Sequence, residues 1–190
     1  IYLSHKLPHC SLYNHFMLGV VSTELSHGVL HAPDLRGRLG VSPATLMRMV
    51  RGAGPDVIRI GRGRATQYAL RQEWPNLDSS RFPLFRITEA GTPVSAGALM
   101  TLAARQSVRM PAGSVCDGLP LELVDARPSG FLGGHFPAIH ADLRLPPRLA
   151  DWSDHHILIA LSRHGEDLSG NLLVGDESFA RWQGLAIAQV

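Results

Sequence analysis

Lysine is almost absent from this chain. Of eighteen Lys and Arg residues, seventeen are arginine, and Lys6 is the one lysine. Cysteine is nearly as scarce. Cys10 and Cys116 stand far apart in the sequence, which excludes a disulfide framework and fits a reducing, cytoplasmic setting. Long apolar runs are missing too. The stretch from Ile157 to Leu161 is among the longest, far short of a membrane span. The first thirteen residues lack the apolar core of a secretory signal. There is no G-x-S-x-G, no G-x-G-x-x-G and no visible internal repeat. These absences leave few enzyme classes with a local signature.

What is present is a globular composition, 45% apolar and 18% charged over 190 residues, enough for one large domain or two small ones. The net charge of +2 hides an asymmetry. Between positions 34 and 71 lie eight arginines (36, 38, 48, 51, 59, 62, 64 and 71) against Asp34 and Asp56. From 72 onward nine arginines face thirteen acids. A basic segment ahead of an acidic one suits a polyanionic partner for the first and a different task for the second. Codon bias is the alternative; it accounts for arginine over lysine, but not for the clustering.

The basic segment predicts a winged helix-turn-helix over 14–71, after an irregular lead at 1–13. Met17, Val20, Val21 and Leu25 recur at helical spacing in 14–27. Pro33 suits a first helical turn. Leu35 and Leu39 share one face, and Gly40 can take the positive φ of a tight turn. Val41 plugs the angle between the helices. Ser42 is a good N-cap and Pro43 fits the first position of the next helix, which runs to about Arg51. Leu46, Met49 and Val50 form its inner face, with Ala44, Thr45 and Arg48 opposite. Leu30 reads only as a short apolar bridge. Val57, Ile58 and Ile60 predict a strand, GRGR at 61–64 a turn, and 65–70 a returning strand.

In such a motif the second helix enters the major groove. Ser42 would hold a phosphate at the helix start. Ala44, Thr45 and Arg48 would face base edges, and Arg62 and Arg64 would touch backbone or minor groove. The expected partner is double-stranded DNA. An ordinary helical hairpin with a solubilising charged tip explains the same residues without a ligand.

Residues 72–81 read as a polar linker. From 82 a small mixed α/β subdomain is expected, which makes the chain α+β as a whole. FPLFRI and VSAGALMTLAAR predict a strand pair around TEAGTP, and 119–125 another strand. Residues 127–134 read as a glycine-rich loop, 135–145 as a short helix, and Ser153 to His164 as a capped helix stopped by Gly165. NLLVG at 171–175 predicts a last short strand, and RWQGLAIAQV shows no cap. No cofactor and no catalytic or metal residue is expected. His5, His9, Cys10 and His15 lack structural-site spacing. His155 and His156 read as exposed, and Glu166 with Asp167 as a solvated loop.

The wing IRIGRGRATQYAL, then RPSGFLGG, DWSD at 151–154 and RHGEDLSGNLLVGDE at 163–177 resemble the HipA-like toxin kinases, in particular the YjjJ branch with its N-terminal helix-turn-helix. The likeness spans about 28–180. It implies that 82–190 is the N-terminal subdomain of a serine/threonine kinase that uses ATP and magnesium, cut before its core. It also implies an antitoxin or a second copy of the chain as further partners. A kinase needs a phosphate-binding lysine and a catalytic Asp with a nearby Asn. Neither motif is found here, so no catalytic residue is carried over and no phosphorylation by these 190 residues is expected. Two functions follow: a DNA-binding regulator module, or a kinase fragment whose helical hairpin makes protein contacts.

Overall fold

Sequence pattern and chain geometry meet first at Gly40. The computed structural model describes residues 19–167 and 170–188, and the chain divides into two compact units between Gln72 and Glu73. The expected lead at 1–13 and the start of the first helix, with Met17, lie outside the described residues.

In the first unit, helix α1 covers 19–25. A two-residue strand β1 (Leu30–His31) leads straight into α2 (Ala32–Leu39). Gly40 then sits at φ 62°, ψ 32°, and the Val41 N–H donates to the Arg36 carbonyl at 3.3 Å. That left-handed residue ends α2 and satisfies its last carbonyls. Ser42 turns the chain into α3 (Pro43–Gly52), with Pro43 at the helix start. Strands β2 (Val57–Ile60) and β3 (Gln67–Leu70) pair antiparallel, Val57 opposite Leu70. The bridge expected at Leu30 is a true strand: β1 pairs with β3, Leu30 opposite Tyr68, and the sheet order is β1-β3-β2.

Val21, Leu25, Leu35, Leu46, Met49, Val57 and Tyr68 form the core beneath. Each large side chain buried there contributes roughly 1.5–3 kcal/mol. Val41 is partly buried against that cluster, as its position between the helices requires.

The second unit carries a five-stranded antiparallel sheet of order β7-β6-β5-β4-β8. Its strands are β4 (Arg81–Ile87), β5 (Pro93–Thr101), β6 (Gln106–Met110), β7 (Ser114–Asp117) and β8 (Leu172–Val174). Helices α4 (Leu121–Asp125), α5 (Gly130–Ile139), α6 (Asp154–His164) and α7 (Gly175–Ala188) complete it. Helix α6 is the centre of the core. Ile157, Leu158, Ile159, Ala160 and Leu161 are all buried, so it is apolar nearly all round and packs on both α4 and α7. Strand β8 returns to pair with β4, Leu84 opposite Val174.

Several expectations need correction. The polar stretch 72–81 is no linker: Trp74 and Leu77 are buried in the second core, and the Trp74 indole N–H donates to the Leu102 carbonyl at 3.1 Å. The strand expected at 119–125 is α4. Leu123 is buried while Leu121 is 73% exposed, a pattern set by one helical turn following Pro120. The glycine-rich loop at 127–134 runs into α5, and the helix expected to reach Leu145 ends at Ile139. Phe136 anchors α5 against the Trp152 ring, with centroids 5.9 Å apart at 72°, so packing overrides the poor helix propensity of glycine. The uncapped end belongs to α7, held by Phe179 stacked on Phe85 with centroids 4.0 Å apart. No strand was expected where β6 and β7 lie.

Candidate nucleic-acid interface

Three of the expected contact residues share one line from the N-cap of α3 along its outer face, Ser42 and Arg48 exposed and Thr45 half-buried. Ser42 accepts the Thr45 N–H at 3.2 Å, which caps the helix. The two hydroxyls meet at 3.0 Å. The Arg48 guanidinium then donates to the Thr45 hydroxyl at 3.2 Å. Residues three apart on a helix are neighbours, so this bonded series orients Arg48 before any partner arrives. Ala44 is exposed beside it, and its small side chain leaves room for close approach. On the other face of α3, Leu46 and Met49 are buried.

The hairpin tip is a single 3-10 turn at Gly63–Ala65. Gly61 has φ 72°, and a Cβ there would lie 2.8 Å from the Ala65 carbonyl oxygen, so the turn requires glycine. Arg62 and Arg64 are exposed at this tip. Below them Arg59 donates to Thr66 at 3.2 Å, and Arg71 pairs with Asp56 at 2.9 Å to close the hairpin base. The eight arginines therefore split by task. Arg59 and Arg71 hold the hairpin, and Arg38 lies 3.5 Å from Glu24. Arg36, Arg48, Arg51, Arg62 and Arg64 have no acidic partner among the described residues. An exposed guanidinium without a carboxylate is available to phosphate.

In the second unit four of the nine arginines, Arg109, Arg148, Arg163 and Arg181, are in ion pairs among the described residues. Arg163 donates to Asp78 at 2.7 Å and is also paired with Glu177, which in turn is 3.1 Å from Arg181. The hydrogen bond from Arg163 holds the Asp78 carboxyl below its ordinary range. For Glu177 burial acts upward, but the bonds from Arg163 and Arg181 outweigh it and the result is a lowering. His155 and His156 are half-buried, not exposed as expected. His156 Nδ1 accepts the Ser153 N–H at 3.1 Å and so caps α6. Burial depresses both imidazoles below 6.5, with His156 and Arg105 adding to the effect on His155. Glu166 is not solvated either: its side chain is 5% exposed and lies 3.6 Å from His164.

This second unit decides the family. A model described as "YjjJ-like toxin, middle domain" matches residues 78–183. The chain belongs to the YjjJ-like toxin family. It is also similar to the protein named Toxin YjjJ of Escherichia coli (strain K12), 35% identical over 165 residues. That match covers 83% of this chain and 36% of the relative, so the chain spans about a third of the relative's length. A match of that extent is longer than the second unit alone, so the likeness to the relative reaches into the first unit as well. No solved structure matches the chain. No helix among the described residues is long and apolar enough to cross a membrane.

Proposed function

We propose that the first unit is a winged helix-turn-helix that binds double-stranded DNA, and that it serves as the targeting module of a YjjJ-like toxin. The observation that carries this reading is the bonded series Ser42–Thr45–Arg48 on the exposed face of α3. The basic hairpin tip and the β1-β3-β2 sheet beside three helices support it. In this reading α3 lies in the major groove. Arg48 reads a base edge, guanine being the best match. Arg62 and Arg64 neutralise phosphates, and Ser42 and Ala44 allow the helix start to approach the backbone.

The test is an anisotropy titration against duplex DNA at several salt concentrations. Changing Arg62 and Arg64 to alanine should reduce the slope of log K against log salt by about 2. Changing Arg48 to alanine as well should remove specific binding. If the triple variant binds with wild-type affinity and salt slope, this surface is not the contact.

The resemblance to HipA-like kinases supports a second reading, in which the chain is the front of a serine/threonine kinase and α3 docks a protein, an antitoxin or a second copy. The exposed Met47, at 37% beside Arg48, favours it. Co-purification that survives high salt while DNA binding is undetectable would select that reading over the first.

A further inference from the structure

The most specific stretch of the sequence, RHGED at 163–167, places two buried groups together that DNA binding does not use. His164 ends α6 and is 8% exposed. The His140 ring, at the C-terminal end of α5, lies against it, tilted by 31° with centroids 3.8 Å apart. Asp142 follows on the 3-10 turn Ala141–Leu143. One donor atom from each of His140, Asp142 and His164 lies within 4.8 Å of the other two. Around a tetrahedral zinc-class ion, nitrogen and oxygen ligands at about 2.0–2.2 Å stand roughly 3.4 Å apart. The donors therefore need to close by no more than ~1.4 Å. Asp142 sits on an exposed turn with room to do so.

Two further features fit an ion. Glu166 Oε1 lies 3.6 Å from His164 Nδ1. A buried carboxylate behind a ligating histidine fixes the ring and strengthens its other nitrogen as a donor. That arrangement leaves Nε2 of His164 as the ligating atom. Asp142 and His164 also line a cleft of about 340 Å³ together with Leu143, Ile159, Arg163 and Glu177. A three-ligand site keeps its fourth coordination position for water or a small ligand, and this cleft adjoins two of the three donors. Arg163, the nearby cation, is already held by Asp78 and Glu177.

We propose that His140, Asp142 and His164 bind one divalent transition-metal ion of the zinc class, with Glu166 positioning His164 and the fourth coordination position facing the cleft. Two nitrogens and one carboxylate favour such a metal over magnesium or calcium, which prefer all-oxygen shells.

The test is a titration of the whole 190-residue chain with Co²⁺, read by its visible d–d absorption, with Zn²⁺ as competitor. One equivalent should bind, and Zn²⁺ should displace it. Asp142→Ala removes an exposed ligand without touching the core, and should weaken binding at least ~10-fold. His140→Gln with His164→Gln should abolish the band, with far-UV circular dichroism checking that the variant is folded. Zn²⁺ should raise the melting temperature of the wild type and not that of Asp142→Ala. Absence of a cobalt band in the wild type overturns the proposal. So does a band unchanged in Asp142→Ala, which would move the metal elsewhere, for example to His5, His9, Cys10 and His15.

Discussion

The two units carry net charge of opposite sign. The first is net basic and, among the described residues, leaves Arg36, Arg48, Arg51, Arg62 and Arg64 without an acidic partner, over a small core of seven buried residues. The second is net acidic, with Arg109, Arg148, Arg163 and Arg181 paired to acids, around a larger core centred on α6. An unpaired surface cation has no structural task to explain it, so function is the economical explanation. A paired one holds its neighbours. The proposed binding surface therefore lies on the first unit. The family assignment, in contrast, rests on the second, whose buried and positional constraints a family model can follow.

The sharpest way to break that contrast is to damage one unit and follow both. Leu158 is fully buried in α6. Leu158→Ala should cost about 2–5 kcal/mol, seen in denaturant unfolding as an earlier transition of the second unit. The proposed DNA binding by the first unit should persist at concentrations of denaturant where the second has melted. Simultaneous loss of both would show that the units are energetically one body.

The mirror experiment is Gly40→Ala. A Cβ at Gly40 meets nothing within 4 Å, so the cost is conformational alone, about 1 kcal/mol. It should lower the stability of the first unit and leave the second unchanged. A neutral result would mean that the turn adopts another conformation.

Acid should act on the second unit next. Its depressed histidines, His155 and His156, contribute stability that is present above 6.5 and lost as pH falls through their folded values. Asp78 and Glu177 have lowered folded pKa values, so their contribution is present above 3.8 and 4.5 and fades below. Both carboxylates are more than a third exposed, so solvent screening keeps the second step small. Thermal melts of wild type and His156→Gln between pH 7 and 5 check the first step; an identical pH dependence would exclude the histidine.

The smallest effect expected is at the hairpin base. Arg71→Ala removes an exposed ion pair to Asp56 and should cost at most about 1 kcal/mol, while leaving DNA affinity nearly unchanged. A large loss of binding would move Arg71 from the scaffold group to the contact group.

Local signals account for what was legible in the sequence. Pro33, Gly40, Ser42 and Pro43 each act on their own backbone or on the next turn, so α2, the turn and α3 could be placed from spacing alone. The β2–β3 hairpin follows from the glycines at its tip for the same reason. The contact candidates Thr45 and Arg48 follow from helical period, although their mutual bond does not. The failures involve distant partners. Whether 119–125 is strand or helix depends on where Leu123 is buried. Trp74 looked like part of a linker because its acceptor, the Leu102 carbonyl, is 28 positions away. Strand β8 finds β4 across 90 positions, from Leu84 to Val174, only through the folded sheet. His140 and His164 carry no spacing signal, since α5 and α6 meet only in the fold.

The sequence by itself determined the basic first unit, its helical hairpin and its arginine-tipped turn, because backbone dihedral preference and periodicity are encoded within a few residues. The tertiary structure alone decided which arginines are left without acids, that β1 joins the small sheet, that Glu166 is buried, and that two histidines and an aspartate converge. Burial and pairing are properties of what packs against a residue, and packing brings together positions that the chain keeps far apart.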